Sequence, residues 1–353
     1  MEHGRGRTDP VRATHRERIQ VALSGQKPDE IPIALWRHFP VEDQDAHALA
    51  EATLRFQLEF DFDLVKVTPS SSFSVRDWGV EDIWEGDPEG TRKYVRQVIE
   101  NPTDWSKLRR LDPGRGALGR QLMCLGEVKA RLGRETPVLQ TVFNPLAQAR
   151  HLAGDAVLIE HIRRWPEAVL EGLERITAST ERFVTACLER SEDGIFFAVQ
   201  HASRRLLSPE EYRQFGRPFD LRVLEAAQGG WLNLLHLHGD GVLFEDLCDY
   251  PVQVINWHDR EAGPSLKEGH KLSGKVVCGG MRQWTTMVCG DPQLVWEEAA
   301  EAVHQMAGRD LILGTGCVCP VVTPWVNLRA AVDYSRKQAP RPRRPARRVS
   351  IAA

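Results

Sequence analysis

The chain has no run that approaches the ~18 unbroken apolar residues of a membrane span. A membrane is therefore not an expected partner. Its opening stretch, "MEHGRGRTDPVRATHRERI", lacks the apolar segment of a secretory signal, which points to the cytoplasm. There is no CxxC pair. The seven cysteines (Cys124, Cys187, Cys248, Cys278, Cys289, Cys317 and Cys319) are odd in number and scattered, so a disulfide framework is excluded and free thiols in a reducing compartment are expected. No GxGxxG or GxxxxGK[ST] is present, which argues against a doubly wound, nucleotide-binding sheet. No internal repeat or inner linker divides the chain.

What is present is a composition that can bury a core: 353 residues, 42% hydrophobic and 27% charged. The charge is uneven. Arg336, Lys337, Arg341, Arg343, Arg344, Arg347 and Arg348 place +7 on the last 18 residues against a net charge of −3, leaving −10 on the remainder. So acidic a body argues against nucleic acid as the main partner. The Pro/Arg-rich end cannot bury a core, so residues 338–353 read as a disordered basic tail.

Short β-branched-rich runs recur at 31–36, 63–67, 137–143, 194–199, 232–238, 252–257, 274–280 and 310–316. Helical stretches lie between them, among them 45–60, 166–190, 208–228 and 292–307. Eight such alternations predict an α/β fold, a single (β/α)8 barrel over residues 16–337. In a barrel the chemistry sits where the strands end. Those ends carry Arg37-His38, Lys66, Asn144, Gln200-His201, His236 and His238, Asn256 with His258-Asp259, and Cys317.

Several blocks carry a resemblance. "RERIQVALSGQKPDEIPIALWRHFP" (16–40), "TVFNPLAQARHLAG" (141–154), "GIFFAVQHAS" (194–203), "LLHLHGDG" (234–241), "VINWHDR" (254–260) and "ILGTGCVCPVVTPWVNLRAAVDYSRK" (312–337) resemble the uroporphyrinogen decarboxylase-like superfamily. That resemblance implies one of two chemistries. The decarboxylases are cofactor-free and hold an acidic tetrapyrrole with arginines, an Asp, a Tyr and a late His. The corrinoid-linked methyltransferases bind zinc through His-x-Cys and a later "GC" cysteine, and take their methyl group from a corrinoid carried by a partner protein. Homodimers are common in the superfamily.

The chain departs from the decarboxylase pattern. Only Arg37 of the arginine motif is present, Thr and Ser of "KVTPSSSF" (66–73) replace the Asp, the Tyr is missing, and Thr315 falls where the late His would be. Arg37 and Lys66 are the cations it offers a polyanionic substrate. The zinc pattern fits with one change: His236 and Cys317 match ligands, while His238 stands in place of a cysteine. Residues i and i+2 of a strand share a side, so the two imidazoles can converge on one ion. Two imidazoles and a thiolate leave a fourth zinc position open for catalysis. Exchanging a thiolate for an imidazole makes the metal a stronger Lewis acid, which widens the acceptors from thiols to hydroxyls.

The expected function is therefore zinc-assisted methyl transfer, with zinc on His236, His238 and Cys317 and a corrinoid as substrate or on a partner protein. Gln200, His201, His258 and Asp259 are the further catalytic candidates, with Arg37 on a substrate carboxylate or phosphate. Each also has a plainer reading: a loop polar group, a surface pair, or for Arg37 a barrel-closing ion pair. The alternatives are a cofactor-free porphyrinogen decarboxylase and a non-catalytic corrinoid- or tetrapyrrole-binding protein.

Overall fold

The computed structural model describes residues 12–336. The basic tail therefore lies outside the described residues. Nine strands occur among those described: β1 Val65–Val67, β2 Glu81–Ile83, β3 Lys93–Arg96, β4 Val138–Phe143, β5 Ile195–Val199, β6 Leu234–Leu237, β7 Val254–Trp257, β8 Val276–Met281 and β9 Leu311–Thr315. Seven form one parallel sheet in the order β1-β4-β5-β6-β7-β8-β9. Each is buried along its whole length. Burial on both faces explains why these segments read as continuous apolar runs rather than as alternating ones.

The sheet has seven strands where the sequence reading expected eight. The run at 31–36 makes one parallel bridge, Ile33 to Leu313 on β9. The Ala34 N–H donates to Leu313 O at 2.9 Å, and the Asp63 N–H donates to Ile33 O at 2.8 Å, so this run touches both edges of the sheet. A longer ladder is blocked chemically. Pro32 has no N–H, and the Ile33 N–H is taken by the Asp63 carboxylate at 2.8 Å.

The helices fall where amphipathic periodicity places them: Ala46–Phe60, Pro166–Arg190 and Pro292–Gln305. The stretch 208–228 breaks into two helices, Pro209–Phe215 and Arg217–Ala226, at Gly216. Pro218 in the first turn of the second helix has no N–H to continue the first. The antiparallel pair β2 and β3 was not anticipated. Its strands are largely exposed, short and charged, so they carry no hydrophobic period. The segment joining them brings Glu89 and Thr91 to the wall of the cavity at the C-terminal ends of the sheet.

Candidate metal centre

That cavity takes in about 550 Å3 of space, its open mouth included. Trp36, His38, Lys66, Thr68, Phe196, Gln200, His236, His238 and Cys317 are among its lining residues. His236 lies on β6 and His238 just beyond it, and Cys317 follows β9, so two segments converge from across the sheet. Gly316 permits the approach: a Cβ there would stand 2.8 Å from His258 Cα and 3.1 Å from Trp257 O.

His236, His238 and Cys317 bring one ligand atom each within 4.8 Å of one another. Cys317 Sγ is 3.6 Å from His236 Nε2 and 3.5 Å from His238 Nδ1. Around a tetrahedral zinc, with Zn–S of about 2.3 Å and Zn–N of about 2.05 Å, sulfur and nitrogen would be about 3.6 Å apart. The donor set thus fits the ion in kind and in span.

The tautomer of His236 follows from its neighbours. Asn256 pairs with His236 in register across β6 and β7. Its Nδ2 donates to Cys278 O at 2.8 Å and to Thr315 O at 3.0 Å. Carbonyls only accept, so these two contacts fix which side of the amide is nitrogen. Asn256 Oδ1 must then accept, and His236 Nδ1 carries the proton donated to it at 2.6 Å. Nε2 is left with its lone pair toward Cys317, the orientation a metal ligand needs. Burial, then the neighbouring His238 and His258, hold the His236 pKa well below the usual imidazole range, and burial lowers that of His238 as well. Both rings are therefore neutral at pH 7.

The other candidates are placed unevenly. Gln200 lines the cavity, and its backbone N–H donates to Asn144 Oδ1 at 3.3 Å. The His258 ring centre lies 5.9 Å from that of His238 and 6.5 Å from that of His236, and its buried Nε2 has no partner. His201, at φ +70°, is not among the cavity's lining residues and has its Nε2 3.5 Å from Asp155 Oδ1. Burial pushes the Asp259 carboxyl up to about 7, and its Oδ1 accepts from the Gly280 N–H at 3.2 Å, behind the end of β8. Arg37 also stands outside the cavity lining. Trp36 and His38 face inward, so the residue between them faces out. Its guanidinium lies 5.6 Å over the Phe39 ring, in a neighbouring cleft with Thr53, Phe56 and Phe62 that Trp36 and Lys66 also line.

The cavity's lysine or arginine, among the residues that line it, is Lys66, whose pKa burial lowers to about 7 while Cys317 opposes the shift. His38, also lining the cavity, is driven to about 3 by burial and then by Lys66. The sequence reading placed His38 and Asn256 at strand ends without giving Asn256 a role, and it did not single out Glu89. The in-register position of Asn256 opposite His236 was the signal that could have found it.

The uroporphyrinogen decarboxylase (URO-D) family model matches residues 14–338. The chain belongs to this family. Its relatives include the methylcobamide:CoM methyltransferase MtbA of Methanosarcina acetivorans, 22% identical over 338 residues, which covers 92% of this chain and 98% of that one. The methylcobamide:CoM methyltransferase MtaA of Methanosarcina barkeri is 24% identical over 212 residues, 58% of this family member and 59% of MtaA. Among solved structures, a methyltransferase from Methanosarcina mazei superposes with a TM-score of 0.81 at 19% identity, over 92% of this chain and 99% of its own. A B12-independent methionine synthase from Shewanella sp. W3-18-1 gives a TM-score of 0.58 at 12% identity, over 88% and 94%. The structural likenesses establish the fold. Among the described residues no helix is long and apolar enough to cross a membrane.

Proposed function

We propose that this URO-D family protein is a corrinoid-linked methyltransferase, built on a (β/α)8 barrel in which residues 31–36 serve as the eighth stave. His236, His238 and Cys317 would hold zinc. The observation that carries the reading is the triad: a thiol 3.5 and 3.6 Å from two imidazole nitrogens, with the His236 lone pair fixed by Asn256. The relatives named as methylcobamide:CoM methyltransferases support the same chemistry. When bound, zinc would lower the pKa of a thiol or hydroxyl acceptor and present it as the nucleophile.

The chain's own residues do the remainder. Asn256 holds His236 in its ligating tautomer. Trp36, Phe143 and Phe196 wall the cavity and keep water from the acceptor. Gln200 lies on that wall, within reach of a bound acceptor, and we assign it a substrate contact. His258 lies beside the imidazole pair, its ring centre 5.9 Å from that of His238. The methyl group moves to the acceptor as the corrinoid's carbon–cobalt bond breaks, its electron pair staying on cobalt, while the acceptor forms the new bond to carbon. The cavity suits a small acceptor, and its one Lys or Arg poorly suits a porphyrinogen with eight carboxylates.

Metal analysis and a methyl-transfer assay test this directly. The purified protein should hold about one zinc per chain and demethylate methylcobalamin in the presence of thiols. Cys317→Ser and the His236→Ala/His238→Ala double variant should lose both properties. A fully active, metal-free protein would overturn the reading.

A further inference from the structure

Asn144 follows β4 directly and caps the helix Pro145–Ala153. It is fully buried, as is Asp220 on the helix Arg217–Ala226. Asn144 Oδ1 accepts from two backbone N–H groups, those of Ala147 and Gln200, each at 3.3 Å. Backbone N–H groups only donate, so the other side of this amide is its nitrogen. That Nδ2 donates to Asp220 Oδ1 at 3.1 Å. Asp220 Oδ2 accepts from the Tyr212 hydroxyl at 2.5 Å and the Tyr250 hydroxyl at 2.8 Å. Among the described residues no cation forms an ion pair with Asp220, and Arg217 on the same helix pairs with Asp249 instead. Asp63 and Asp193, as deeply buried, are clamped by cations.

The Gln200 N–H belongs to the same peptide group as the Val199 carbonyl, and that carbonyl accepts from the His238 N–H at 3.0 Å. One unbroken row of hydrogen bonds therefore runs from the Asp220 carboxyl, through the Asn144 amide and the 199–200 peptide, to the backbone of His238. Amides aligned in this way polarise and strengthen one another. His238 needs the support. It lies past the end of β6 and is followed by Gly239 in the left-handed region at φ +89°. The ring of His236 is held by Asn256, but among the described residues the ring of His238 has no hydrogen-bond partner besides Cys317. Its place is thus set by its backbone. Capping the helix needs only Asn144 Oδ1 on Ala147, so the buried acid behind Asn144 is surplus to that task. We propose that Asp220 is a positioning residue for the metal centre: acting through Asn144, it fixes the 199–200 peptide and with it the place of His238. The metal side of this assignment rests on the reading above, whereas the row of hydrogen bonds does not.

Zinc affinity by chelator competition and hydrogen exchange of the Gln200 and His238 amides test it together. Asn144→Ala and Asp220→Ala should each weaken zinc binding roughly tenfold and speed the exchange of both amides. Should Asp220→Ala fail to fold, Asn144→Ala carries the test. Asp220→Asn, whose side-chain oxygen can still accept from Asn144, should stay within about twofold of the unmodified protein. Tyr250→Phe controls for a merely structural role: it removes a donor from Asp220 Oδ2 and should lower the melting temperature, yet keep zinc affinity within about twofold. Asn144→Ala should add no further loss to His238→Ala but should still weaken zinc binding in His236→Ala. Zinc affinities that follow melting temperature across all these variants overturn the proposal, as do equal further losses in the two histidine backgrounds. Unchanged exchange in Asn144→Ala overturns it as well. If the unmodified protein binds no zinc, the metal reading falls, and the exchange rates alone decide whether Asp220 holds the His238 backbone.

Discussion

The two ends of the parallel sheet hold polar groups in opposite ways. At the end where strands begin, the buried acids are saturated. Asp63, just before β1, binds Arg18, Arg336, His15 and the Ile33 N–H. Asp193, just before β5, binds Lys129, the Val138 N–H, Trp231 Nε1 and Ser191 Oγ. At the end where strands finish, buried polar atoms are left short of partners: His38 Nδ1 and His258 Nε2 have none, and the ammonium of Lys66 meets a threonine hydroxyl and the Phe196 ring but no carboxylate among the described residues. Satisfied networks brace a fold, while unsatisfied groups are tolerated where a ligand completes them. The lower end is built for stability and the upper end for binding.

The largest expected effect breaks the lower end. Asp63→Ala would strand Arg18 and Arg336 inside the protein and should cost about 3–5 kcal/mol, read as a drop in the urea midpoint. Lys66→Met at the upper end should leave that midpoint equal or higher, since it removes a buried charge without orphaning a partner. Equal losses from both substitutions would erase the division.

A smaller effect sharpens the upper end. Asn256→Leu removes the acceptor that fixes the His236 tautomer and should weaken zinc binding roughly 10- to 100-fold, measured by competition with a chelator. Undiminished affinity would mean that the ring is held by something else. The lower end also has a pH dependence of defined sign. Burial would raise the Asp63 pKa, but His15, Arg336 and Arg18 hold it down to about 2. Its contribution is present above pH ~3.8 and is lost as pH falls through about 2. For His15 burial opposes the charged form, but Asp61 and Asp63 raise its pKa to about 9. Its contribution is complete below pH ~6.5 and is lost as pH rises through about 9. The melting temperature of His15→Gln should therefore trail the unmodified protein at pH 6 and meet it above pH 9.

The legible parts of the molecule were those with a local period. Seven of the eight apolar runs became sheet strands because burial on both faces forces continuous hydrophobicity. The eighth did not, because Pro32 lacks a donor and the Asp63 carboxylate takes the Ile33 N–H, a contact between residues 30 apart. The pair His236 and His238 was legible from its spacing, and Cys317 from the family resemblance. The polar groups that complete the site were not. Glu89 arrives on an exposed hairpin without hydrophobic pattern, and Asn256 acts through pairing across two strands, which no single segment reveals.

Arg37 shows the same limit from the other side, and it carries the smallest expected effect. As an isolated cation at a strand end it reads as a substrate anchor. In the fold it sits between two inward-facing residues, its Nε donating to His38 O at 3.3 Å and its guanidinium over Phe39. Burial lowers its pKa, yet among the described residues no carboxylate forms an ion pair with it, and it is not part of the cavity lining. Arg37→Ala should thus change the thiol-dependent demethylation of methylcobalamin less than about twofold, where Cys317→Ser abolishes it. If Arg37→Ala instead lost most of that activity, the guanidinium would act on the cavity through its long-range field rather than by contact, and raising the salt concentration should then lower the activity of the unmodified protein as well.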